Sequence, residues 1–203
     1  MKASIICASL LAGLVVAAPA PADKGVPAKP KYGKDCDKDG YLKNTNKGFP
    51  IPFTSTYRIK ATPDQVVNAN NTFTGGLKGA VGFYDIGINT ELDTICYYIR
   101  LYNFQGNYQS PARTATHLHQ AAKGKSGPPR IAFPNPSVIP GKDYRVTAGC
   151  QTGPFTTGVI VNATGLDTGA GFKVAQIEAN PAGFFVDVHS SLAVPGAVRG
   201  QMG

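Results

Sequence analysis

From Pro50 onward the chain sets short apolar runs between Gly, Pro and Asn, at the spacing of roughly 8 to 12 residues that marks an antiparallel sandwich or barrel. The clearest run is Thr94 to Tyr102. Its period of two puts Ile95, Tyr97, Ile99 and Leu101 on one face and Cys96, Tyr98 and Arg100 on the other. Further strands are predicted at Val81 to Ile88, Arg130 to Phe133, Phe155 to Val161 and Phe184 to His189. One short helix is predicted over Phe172 to Ala179, where Val174 and Ile177 share helical spacing and Asn180-Pro181 provides a stop. No repeat is present. The pattern predicts one all-β domain over residues 49–203, an antiparallel β-sandwich or flattened Greek-key barrel with a single crossover helix.

The first 48 residues follow different rules. Met1-Lys2, the apolar stretch Ile5 to Val16 and the small residues Ala17 to Ala22 have the layout of a secretory signal peptide over residues 1–22. The apolar run is too short for the roughly 20 residues that span a bilayer, and nothing later comes close, so no membrane span is expected. Residues 23–48 hold seven lysines and four aspartates with almost no apolar side chains. Such a segment buries too little surface to offset its ordering entropy and reads as a flexible Lys/Gly/Pro-rich leader.

Composition supports the β reading and removes other classes. The 203 residues contain no Trp, 9 Tyr, 10 Phe, 24 Gly and 16 Pro, and only 16% are charged, which argues against a coiled coil or helical bundle. The net charge of +8 thins out in the domain, where twelve Lys/Arg face eight Asp/Glu. Without clustered basic residues and interleaved aromatics, no nucleic-acid partner is expected.

Secretion would remove Cys7 and leave Cys36, Cys96 and Cys150. Cys96 sits in a predicted strand, Cys150 in a turn-like stretch of the domain and Cys36 in the leader, so a Cys96–Cys150 disulfide with Cys36 free is expected. Asn70-Asn71-Thr72 and Asn162-Ala163-Thr164 are acceptor sequons, making Asn70 and Asn162 the expected glycosylation sites of a secreted glycoprotein.

Three histidines are the residues with chemistry to spare. If residues 115–119 are extended, His117 and His119 project from one face while Leu118 points away, and in Phe184 to His189 the same alternation separates Asp187 and His189 from Val186 and Val188. Three imidazoles converging from two strands could hold Zn or Cu, with Asp187 as a ligand or as an orienting partner. The alternative is that they bond only to backbone or carboxylate groups at a strand edge. No nucleophile triad, phosphate-cradling loop or Cys-x-x-Cys pair is present, so no catalytic residue is assigned.

The stretches Thr116-His117-Leu118-His119, Gly127-Pro128-Pro129, Phe185 to Ser190 and Pro195 to Gln201 together resemble the CHRD domain, a module named from chordin and found in secreted microbial and fungal proteins. The likeness covers roughly Thr54 to Met202 and implies an extracellular β-sandwich. Where that family commonly carries an acidic residue before Ile-Arg-Gly-Gln, this chain has Ala197. The His-x-His pair is also similar to a strand of copper-zinc superoxide dismutases, which use more imidazoles than this chain contains.

The leading expectation is a secreted, non-catalytic domain of the cell surface, cell wall or matrix, with an extracellular protein or wall component as partner, binding a divalent metal through the histidines. The alternative is a small mononuclear copper or zinc metalloenzyme with a superoxide-dismutase-like fold.

Overall fold

The computed structural model describes residues 52–203. The predicted signal peptide, the leader, Cys36 and the first residues of the predicted domain lie outside the described residues. Eleven strands carry the fold: β1 (Ser55–Ala61), β2 (Val81–Asn89), β3 (Thr94–Tyr102), β4 (Thr116–Gln120), β5 (Pro129–Phe133), β6 (Ser137–Val138), β7 (Tyr144–Thr152), β8 (Ile160–Val161), β9 (Leu166–Asp167), β10 (Phe184–Ser190) and β11 (Ala193–Gln201). One sheet has the order β1-β2-β3-β7-β6 and the other β11-β10-β4-β5, with β8 and β9 as a separate hairpin. Every pairing is antiparallel, so the all-β sandwich expected from the sequence is the fold.

The period of two builds the core directly. Ile59, Tyr84, Ile86, Ile88, Ile95, Tyr97, Ile99 and Leu101 of the first sheet pack in one buried cluster with Leu118, Ile131, Phe133, Phe184, Val186, Val188 and Val198 of the second. Each such side chain contributes about 1.5–3 kcal/mol through removal from water. Phe155, Phe172, Val174 and Ile177, on the segment between β7 and β10, belong to the same cluster, with the Phe172 ring 5.8 Å from that of Phe184.

Two predicted elements differ from what forms. Phe155 to Val161 is not one strand: only Ile160–Val161 pairs, with Leu166–Asp167. The Asp167 carboxylate accepts the backbone N–H groups of Thr157, Gly158 and Gly169, so a side chain takes donors that a strand ladder would need. The helix α1 spans Ala175–Ala179, three residues shorter at its start than predicted, because the Asp93 carboxylate accepts the Val174 N–H and Gly171 turns at φ +71°. Strands β1, β7 and β11 had no clear signal: β7 has no fully buried residue and β11 contains Pro195-Gly196.

Cys96 and Cys150 face each other across the β3–β7 ladder and form a disulfide; Cys150 lies inside β7 rather than in a turn. Closing a loop of 54 positions stabilises the fold by about 4 kcal/mol in the chain-entropy account. Non-reducing peptide mapping should therefore recover Cys96 linked to Cys150, and reduction should lower the melting temperature by about 10 °C. Recovery of Cys36 joined to either of them would contradict this pairing.

Candidate metal centre

The second sheet has two chemically opposite faces. In β4 the Leu118 side chain enters the core, fully buried, so His117 and His119 stand on the outer face. In β10 Phe184, Val186 and Val188 enter the core, so Phe185, Asp187 and His189 stand outside. The β4–β10 register sets Asp187 opposite His117 and Phe185 opposite His119, and the His189 N–H continues the ladder to the Ala115 carbonyl. The sheet thus brings together all four residues that the sequence marked.

The donor atoms meet around one point. Asp187 Oδ1 lies 3.4 Å from His117 Nδ1, and Asp187 Oδ2 lies 3.3 Å from His119 Nε2 and 3.2 Å from His189 Nε2. One donor from each of the four residues falls within 4.8 Å of the others. These carboxylate–imidazole distances exceed the 2.7–2.9 Å usual for charge-assisted hydrogen bonds. They are close to the edge, about 3.3 Å, of a tetrahedron with arms of about 2.0 Å, the length of a zinc–nitrogen or zinc–oxygen bond, while the set of one donor from each residue spans up to 4.8 Å.

The outward-facing ring nitrogens are already used. His117 Nε2 donates to the Thr114 carbonyl (2.6 Å), His119 Nδ1 to that of Gly127 (2.8 Å) and His189 Nδ1 to that of Val194 (2.9 Å). In the neutral ring each bond fixes a tautomer and leaves a lone pair on the nitrogen that faces the common centre. His117 Nδ1, His119 Nε2 and Asp187 Oδ1 are buried without a hydrogen-bond partner, a costly state for polar atoms in protein alone. The orienting groups are backbone carbonyls, which leaves Asp187 facing the same centre as the imidazoles.

Burial opposes charge on these groups, and their neighbours decide which keep it. Burial raises the Asp187 carboxyl, but the surrounding imidazoles reverse this and hold it well below the usual carboxylate range. For His189 burial again works against the charge, yet Asp187 beside it pushes the pKa up to about 9. Burial dominates at His117 and lowers it.

Three supports carried no recognisable signal in the sequence. The buried Tyr84 hydroxyl crosses the core to donate to the Asp187 backbone carbonyl (2.9 Å), fixing β10 from beneath. Phe185 stacks on the His119 ring at 4.8 Å, with the Arg199 guanidinium 3.5 Å from the centre of its ring. The carbonyls of Thr114 and Gly127 come from loops and that of Val194 from the start of β11, and none of these has a sequence pattern that announces a tautomer. The other expected site residues, Asn70 and Asn162, are both exposed in turns. No helix among the described residues is long and apolar enough to cross a membrane.

The shifted groups give the metal-free domain a stability maximum near pH 6.5. His189 is raised, so its contribution is complete below an unfolded pKa of about 6.5 and is lost as pH climbs through about 9. His117 is lowered, so the unfolded state takes up a proton first and stability falls as pH drops below about 6.5. Asp187, also lowered, extends the acid loss below about pH 4. Melting temperature in the presence of chelator should fall from pH 6.5 to pH 9, and His189→Gln should flatten that limb; an unchanged slope in the variant would refute the assignment.

Neither the curated proteins nor the solved structures contain a match to the chain. The model of the CHRD domain, by contrast, matches residues 57–202, from within β1 to just past β11 and including every residue of the histidine–aspartate centre. A match over more than half of the sequence, on the strands that build this sandwich, places the chain in the CHRD domain family.

Proposed function

We propose that this chain is a secreted, non-catalytic extracellular domain whose sandwich holds one Zn²⁺ through His117 Nδ1, His119 Nε2, His189 Nε2 and Asp187. The observation that carries the reading is the convergence of three lone pairs and a carboxylate, with each imidazole oriented by a backbone carbonyl. Imidazole nitrogens with a carboxylate oxygen suit zinc, whereas Cu(II) favours tetragonal sites. Four protein ligands leave no position open for substrate, the mark of a structural rather than a catalytic zinc.

Membership of the family, a disulfide suited to an oxidising compartment and the signal-peptide layout of residues 1–22 support secretion. Exposure of Asn70 and Asn162 in turns supports their use as glycosylation acceptors. A cell-wall or matrix partner follows from the location and stands with it.

Metal analysis of protein purified from its secretion route should find one zinc per chain. His119→Ala and Asp187→Asn should each lose it, and chelation should lower the melting temperature by about 10 °C if the ion is present at a thousandfold excess over its Kd. Less than a tenth of an equivalent in the wild type, under conditions where added zinc does not raise the melting temperature, would end the metal reading. Copper-loaded protein should not turn over superoxide; robust turnover lost in His119→Ala would replace the non-catalytic reading with the metalloenzyme.

A further inference from the structure

Arg199 occupies a position that the metal reading does not use. It lies opposite Asp187 in the β10–β11 ladder, on the same outer face, and is 3% exposed. Both Asp187 oxygens are turned to the histidines, and Arg199 makes no ion pair among the described residues. Its hydrogen bonds leave from Nη2 alone and are long, at 3.3 Å to the Ala122 carbonyl and 3.4 Å to Gln201 Oε1. A guanidinium carries five N–H donors, so most of its fork is unused. The Phe185 ring against the guanidinium offsets part of its burial, but no carboxylate pairs with it, so an added countercharge would be favourable.

The space for a countercharge adjoins it. A depression of about 300 Å³ is lined by Arg199 together with His119, Asp187 and His189. Val66, Pro111 and Pro195 give its wall an apolar part. The lining therefore offers both a planar fork matched to a carboxylate and apolar contact for a short hydrocarbon stem. Zinc on the four donors would outweigh the Asp187 charge and raise the local positive potential further.

We infer that this depression binds a small aliphatic carboxylate, with the Arg199 guanidinium as its countercharge beside the histidine–aspartate centre. The inference goes beyond the metal reading and does not require it, because Arg199 lacks an ion pair whether or not the four donors hold an ion. Gln201 is the positioning residue: its Oε1 accepts from Arg199 while its Nε2 donates to the Ala121 and Ala182 carbonyls, anchoring the fork.

Calorimetric titration of the full secreted chain, zinc-loaded and chelated, with butyrate, N-acetylalanine and inorganic phosphate tests it. Butyrate represents a free acid and N-acetylalanine a peptide C-terminus, and saturable binding of either supports the site. Arg199→Gln should weaken that binding about tenfold or more, the loss of one charge-assisted contact, in zinc-loaded and chelated protein alike. Arg199→Lys, which keeps the charge and loses the fork, should fall between them and covers the case in which the glutamine variant does not fold. No saturable heat from either carboxylate, equal affinity in both variants and wild type, or phosphate binding as tightly as butyrate would overturn the proposal. Loss of zinc with carboxylate binding intact would count against the metal reading alone.

Discussion

A carboxylate that is almost cut off from water, on an interior strand of a sheet, dictates what can stand around it. Asp187 is 4% exposed and remains charged only because other groups supply what solvent would. Three imidazoles do so at 3.2–3.4 Å, and they can stand there because β4 and β10 are registered to place them. The outer face of the second sheet is built around this one charge, down to the arginine left beside it.

The same two strands hold the other half of the molecule together. Leu118, Val186 and Val188 leave them on the core side, so burying those side chains and converging the donors are consequences of one register. A one-residue slip would send the donors into the core and the apolar side chains into the site, which makes the alternative register expensive twice over. Tyr84 ties the two sheets at this point, spending its hydroxyl on the Asp187 backbone.

The loops complete what the strands begin. Thr114 precedes β4, Gly127 lies between β4 and β5, and Val194 falls near the start of β11, and each offers one carbonyl to one imidazole. The β4–β5 loop also supplies the Ala122 carbonyl to Arg199 and the Ala121 carbonyl to Gln201. A disturbance of that loop therefore reaches His119 and Arg199 together.

Alternation along single segments was enough to determine the all-β class, the faces of β3, the pairing of His117 with His119 on one side of β4, and the siding of Asp187 with His189. These are local consequences of a two-residue period, and they need no partner strand. The Cys96–Cys150 bridge was legible from placement, though the strand around Cys150 was not, because no residue of β7 is fully buried and the strand shows little apolar alternation. The length of α1 and the break-up of the predicted Phe155 to Val161 strand depended on Asp93 and Asp167, whose hydrogen bonds reach across the chain or divert donors from a ladder. Tertiary structure alone decided that the two pairs of site residues face one another, which nitrogen each imidazole presents, and that Arg199 is buried beside them without an ion pair among the described residues. Such facts depend on strand register and on loop carbonyls, and the sequence of any one strand carries neither.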